Sequence, residues 1–175
     1  MRFVPLLTAV CVALASTPAV ADDDPTRFRR TTPRASFEEH AGTLTLGIPS
    51  GRAWGIESEL HPLPSERVIV VRLAVADRDV REAFVRVAYY ARATGRSRQV
   101  AVADTELVAA GERRVLLLPL DPPAGAVAYR LRVLARLRAG AVRSSNDAIQ
   151  ARLTLVDRAA TRFGSLFSRL LPDGP

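Results

Sequence analysis

The sequence predicts an all-β, antiparallel sandwich of about seven short strands. Three observations carry this reading. Between Arg67 and Val156 the apolar residues recur with a period of two, most clearly in Ala126–Arg143, AVAYRLRVLARLRAGAVR. That period buries one face of a strand and wets the other. Turn-forming groups break the runs at Thr94–Ser97, Ala110–Gly111, Pro122–Gly125 and Ala139–Gly140. Helical periodicity is absent from this span, and 175 residues are enough for one core without a disulfide or metal.

Taken in order, the chain opens on a short basic start, Met1–Arg2, and an apolar run from Phe3 to Ala15. Ala19-Val20-Ala21 then offers small residues before Asp22. This is the pattern of a signal peptide over residues 1–21, cleaved near Ala21, and it predicts an exported protein, periplasmic or extracellular. The run is too short to span a bilayer, which takes about 20 apolar residues. Cys11, the one cysteine, falls inside the signal. The mature chain would then have no disulfide, no thiol nucleophile and no cysteine metal site.

Residues 22–34, DDDPTRFRRTTPR, are charged and proline-punctuated, and predict a disordered leader. Residues 35–64 predict an N-terminal hairpin or extension, since Leu44, Leu46 and Ile48 alternate, Pro49–Arg52 reads as a turn, and Trp54, Ile56, Ser58 and Leu60 alternate again. Residues 65–156 predict the sandwich itself. Ile69, Val71, Leu73 and Val75 share one face of Arg67–Val75, and Val85, Val87 and Tyr89 share one face of Glu82–Arg92. Strands over Gln99–Val108, Arg113–Leu120, Ala126–Leu137 and Ile149–Val156 follow. In residues 157–175 the period changes. Phe163, Leu166, Phe167, Leu170 and Leu171 fall at i, i+3, i+4, i+7 and i+8, a short amphipathic helix that Pro172 ends.

Leu120 and Pro122, the run Tyr129-Arg130-Leu131-Arg132-Val133-Leu134-Ala135, and then Gly140, Ser144 and Ser145 resemble the last strands of a fibronectin type III domain. Phe84–Arg92 is similar to that family's third strand. The resemblance covers about residues 65–156 and implies an immunoglobulin-like sandwich. It departs from the family in having no tryptophan in the second strand and a longer connection from Leu120 to Tyr129. In such a sandwich the strand of Tyr129 would lie between those of Tyr89 and Leu153.

The functional expectation comes from charge. The net charge is +7, and all 25 basic residues are arginine. The expected sheet gathers Arg86, Arg92, Arg130, Arg132, Arg136, Arg138 and Arg152 on one wet face, with acids mostly elsewhere. Guanidinium groups bind carboxylate and phosphate bidentately. This face predicts a non-enzymatic interaction module contacting an anionic envelope polymer or an acidic partner protein. Nucleic acid fits less well, because only Tyr90 interleaves the arginines. An all-arginine composition is also what GC-rich coding produces.

An alternative is a membrane-proximal or assembly subunit docking through Phe163, Leu166, Phe167, Leu170 and Leu171. A second alternative is a calcium-dependent binder or enzyme built on Asp77, Asp79 and Glu82 in a loop between strands, although Arg78 and Arg81 interleave the acids. His40 and His61 read as loop residues, and no nucleophile elbow or paired-histidine metal motif is present. The sequence therefore predicts no catalytic residue, no resident metal and no cofactor.

Overall fold

Period-two alternation becomes two antiparallel sheets packed face to face in the computed structural model, which describes residues 28–31, 36–49, 54–65, 67–94 and 97–158. The expected signal peptide, most of the leader and the expected C-terminal helix, including residues 163, 166, 167, 170 and 171, lie outside the described residues. Twelve strands are described: β1 Phe28–Arg30, β2 Ser36–His40, β3 Thr43–Gly47, β4 Trp54–Ser58, β5 His61–Pro62, β6 Arg67–Val75, β7 Val80–Tyr90, β8 Gln99–Asp104, β9 Val108–Ala109, β10 Arg113–Pro119, β11 Ala128–Leu137 and β12 Ile149–Asp157. The first sheet runs β1-β4-β11-β7-β8, with β5 beside β11 and β9 beside β7; the second runs β10-β6-β12-β3-β2.

The core lies between the inner faces. Ile69, Val71, Leu73 and Val75 on β6 and Ile149, Ala151 and Leu153 on β12 meet Val85, Val87 and Tyr89 on β7 and Tyr129, Leu131 and Val133 on β11, all buried. Alternation is what makes this possible: each strand offers its apolar residues to one side only. Burying such side chains stabilises by roughly 1.5–3 kcal/mol each, against the cost of ordering the chain.

Two strands beside the central β11–β7 pair are interrupted, and a hydroxyl spans each gap. Between β4 and β5 the Leu131 N–H donates to Ser58 Oγ at 3.0 Å, and Ser58 Oγ donates to the Glu59 carbonyl. Between β8 and β9 the Val85 N–H donates to Thr105 Oγ at 3.0 Å, and Thr105 Oγ donates to the Glu106 carbonyl. A third copy caps the end of β3, where the Ile48 N–H donates to Ser144 Oγ at 2.7 Å and Ser144 Oγ donates to the Ser145 carbonyl. A buried strand amide left without an acceptor would cost about 1–3 kcal/mol.

Several expectations change. Phe28–Arg30, inside the stretch expected to be disordered, is β1 and pairs with β4. The segments around Leu46 and Ile56 are not partners in a hairpin; β3 and β4 belong to opposite sheets, so β2 to β5 are part of the sandwich and not an extension. The true hairpin is β2–β3, whose loop residues Ala41 and Gly42 have φ of 48° and 73°. Positive φ at both positions is what a two-residue turn of matching twist requires. The strand of Leu153 is not beside that of Tyr129: β12 pairs with β6 and β3 in the second sheet. The connection after Leu137 crosses between sheets, anchored where the Arg138 N–H donates to the Asp79 carbonyl and the Ser144 N–H to the Ile48 carbonyl.

Gly55 faces outward from β4 opposite Leu134, and a Cβ there would run into the Val133 carbonyl oxygen. The obstacle is backbone, which cannot swing aside as a side chain can. Gly55→Ala should therefore destabilise the protein by about 3 kcal/mol, read as a lowered urea midpoint with an unchanged slope.

Candidate functional site

The outer faces of the two sheets both carry arginine, and they differ in what answers it. On the first sheet the register aligns Arg29 on β1, Glu57 on β4, Arg132 on β11, Arg86 on β7 and Asp104 on β8 in one row. Arg86 and Asp104 form a bidentate pair, Nε–Oδ1 and Nη2–Oδ2 both 2.7 Å. Glu57 accepts from Arg29 Nη2 at 2.6 Å, Arg130 Nη1 at 3.1 Å and Arg132 Nε at 3.3 Å. Arg136 Nη1 lies 2.7 Å from Glu82 Oε1, which is itself buried, and Arg81 approaches the same carboxylate.

Aromatic rings complete this face. Phe84 points outward yet is only 3% exposed, because the guanidinium carbons of Arg86 and Arg136 each lie 5.6 Å from its ring centroid. Arg130 lies 5.8 Å from the Tyr90 ring, and Arg132 Nη2 donates to Tyr90 Oη at 3.1 Å. Stacked guanidiniums keep their charge wet while their stems dry the ring. The structure thus brings Arg86, Arg130, Arg132 and Arg136 together, but as an ion-paired network and not as a free cationic row. Arg92 lies in the turn after β7, its N–H donating to Ser97 Oγ, and Arg138 lies just past β11; both are exposed. Arg152 is on β12, in the other sheet.

The outer face of the second sheet has the opposite character. Arg72 on β6 stands directly across from Arg152 on β12 and, on its other side, from Val115 on β10. Arg113 follows one row on, across from Ala74. These residues, with Arg114 and Gln150, line a groove of about 360 Å³. Arg114 is engaged by Glu112 at 3.1 Å and Glu106 at 3.6 Å. Arg72, Arg113 and Arg152 have no carboxylate within ion-pair distance among the described residues. The sequence reading missed Arg72 and Arg113; the signal was the single charge among the alternate positions Val68, Val70, Arg72 and Ala74 of a strand that is apolar on both faces beyond Arg67.

The Asp77–Glu82 loop is not brought together as a calcium site. The Asp77 carboxylate accepts the N–H of Asp79 at 2.7 Å and of Ser145 at 2.6 Å, and these bonds hold its pKa below the ordinary value. Glu82 points to the first sheet's arginines instead. Among the described residues no three acids or histidines gather as metal ligands. His40 is on the exposed strand β2, and His61 is buried on β5 with its ring tilted against Tyr129, centroids 5.5 Å apart. Both are strand residues, not the loop residues expected.

No family model and no curated protein matches the chain. Among solved structures it is similar to the CBM22-1–GH10 modules of endo-1,4-beta-D-xylanase 10B from Clostridium thermocellum, complexed with xylohexaose: 16% identity, TM-score 0.44, 78% of this chain and 27% of that one. It therefore spans about a quarter of that structure's length. It is also similar to the CBM22-2 xylan-binding domain from Paenibacillus barcinonensis, with 10% identity, TM-score 0.43, and 75% and 91% of the two chains covered. A C-terminal family 22 carbohydrate binding module of Clostridium thermocellum aligns at 14% identity and TM-score 0.40, over 74% and 83%.

The first sheet's network has a pH signature. Burial opposes ionisation of Glu57, but the hydrogen bond from Arg29 and the charges of Arg130 and Arg132 outweigh it and hold the carboxyl below its ordinary 4.5. A lowered folded pKa means the stabilisation is complete above 4.5 and is lost as pH falls through the folded value. Glu57→Gln should cost about 1–2 kcal/mol near neutral pH, with the gap to the parent closing in acid, measured by urea unfolding at both pH values.

Proposed function

We propose that the protein is an exported, non-enzymatic module that binds an anionic polymer on the outer face of its second sheet, with Arg72, Arg113 and Arg152 as the contacts. The observation that carries this reading is the Arg72–Arg152 pair: like charges set directly opposite on adjacent strands, with no acid among the described residues to answer them. Such a pair costs a few tenths of a kcal/mol in the free protein. A carboxylate, phosphate or sulfate set between the two guanidiniums removes that cost and gains charge-assisted hydrogen bonds. Arg113, one row further along, extends the site in the direction of the strands, so a repeating anion is served better than a single one. Val115 and Gln150 supply a flat floor of apolar and amide surface beside the charges.

Export rests on the pattern of residues 1–21 and on the otherwise cysteine-free chain. No helix among the described residues is long and apolar enough to cross a membrane. The anionic partner is the one expected from the arginine content, but the site is on the opposite face from the one the sequence suggested.

The test is binding to polygalacturonate, with neutral xylan as the control polymer, over a range of salt. Affinity for the acidic polymer should fall steeply with salt, and Arg72→Gln with Arg152→Gln should weaken it by roughly tenfold and flatten the salt dependence. Arg130→Gln with Arg132→Gln should lower stability and leave binding intact. Salt-independent binding, equal binding to xylan, or loss of binding only in the Arg130/Arg132 variant would overturn the proposal.

A further inference from the structure

The two sheets end on four strands, and three of these are blunted. β1 is three residues long with two arginines, β2 carries Glu38, Glu39 and His40 in the open, and β10 starts on Arg113 and Arg114 and ends on Pro119. Shortness, charge and proline are what keep a sheet edge from pairing with another chain. β8, QVAVAD, has no charge and no proline from Gln99 to Ala103. Val100 and Val102 stand 39% and 43% exposed on it.

The backbone of β8 is open on the same side. Thr105 bonds inward to β7: its N–H donates to the Val85 carbonyl at 2.9 Å, and its Oγ accepts the Val85 N–H. Register with β7 is unbroken from Asp104 back to Ala101. In an antiparallel ladder every second residue bonds to a given neighbour, so Ala103 and Ala101 also bond inward. Val102 and Asp104 therefore turn their N–H and C=O groups to the free edge, where no strand lies among the described residues.

The ends of this edge are opposite in charge. Arg98, just ahead of β8, is exposed, and its guanidinium meets no carboxylate within ion-pair distance among the described residues. Asp104 closes β8, and Glu106 follows with its side chain 77% exposed and Arg114 no nearer than 3.6 Å. Basic end, valines, acidic end is a pattern complementary to itself when two copies run antiparallel. Parallel pairing would set arginine beside arginine and acid beside acid.

We propose that a second copy of the chain docks on this edge, β8 against β8 and antiparallel, about a two-fold axis near Val102. The contact is isologous and closes at two chains. It joins the two first sheets into one, sets Val100 and Val102 of the copies side by side, and brings Arg98 of each to Asp104 and Glu106 of the other. The arginine groove lies on the other sheet and takes no part.

Sedimentation equilibrium of the full chain tests this, and the mass should rise with concentration toward that of two chains. Val102→Pro removes an outward N–H and spares the ladder to β7. It should raise the dimer dissociation constant by roughly tenfold or more, with the circular dichroism spectrum unchanged. Arg98→Glu should weaken the dimer by roughly threefold or more, and adding Glu106→Arg to it should recover most of that loss. This charge pair decides the question should the proline unfold the chain. Leu117→Asp, on the blunted edge β10, should leave the dimer as it is. A single-chain mass up to about 100 μM overturns the proposal. So does growth into an open series of larger oligomers, a dimer that survives both Val102→Pro and Arg98→Glu, or one that Leu117→Asp alone dissolves.

Discussion

A strand with arginine at most of its outer positions can occupy the middle of a sheet only if both neighbours bring carboxylates. β11 meets that constraint with Glu57 of β4 on one side and Glu82 of β7, which takes Arg136, on the other, while Arg86 of β7 is answered in turn by Asp104 of β8. The consequence is a fixed order of strands. Glu57 draws β1 and β4 to β11, since Arg29 binds the same carboxylate, and Asp104 draws β8 to β7. Exposed ion pairs contribute little singly. Here Glu57 is largely shielded and serves three guanidiniums, so losing it would leave Arg130 and Arg132 without an answering charge in their row. The first sheet spends its arginines on its own assembly.

The second sheet was assembled differently, and that contrast separates structural from available charge. Its interior strand β6 is apolar on both faces apart from Arg72 and the terminal Arg67, which pairs with Asp157, so hydrophobic contact and backbone bonding hold most of it, and no acid among the described residues was recruited to the Arg72–Arg152 row. Charge that a fold does not need is charge a partner can use. Counting arginines could not make this distinction; pairing them across strands does.

How much of this could be read from the chain follows from the range of the interactions. β6, β11 and β12 were legible residue by residue, because alternation is local and strong in RVIVVRLAV and AYRLRVLARL. β2 was not, because SFEEH is an edge strand and its acids and histidine face water. The placement of β12 was not either. Family resemblance set it beside β11, whereas the long polar connection from Ala139 to Asp147 carries it across to β6. Of the candidate site, Arg152 was named and its setting was not. Glu57 lies 28 to 75 residues and Asp104 18 residues from the arginines they bind, so nothing local announced that the first face would be ion-paired.

The hydroxyl bridges at Ser58 and Thr105 bear on how this fold can change. In each, one side chain accepts the strand amide that a continuous neighbour would have satisfied, so the ladder is complete without the residues that loop out beyond it. Glu59–Leu60 and Glu106–Leu107 are therefore free of the sheet's bookkeeping, and Leu107 stands 48% exposed. Chain can be gained or lost at those two points without unzipping β11 from β7. They are the positions where new loops, and with them new surface, can be grafted onto the sandwich while its core stays as it is.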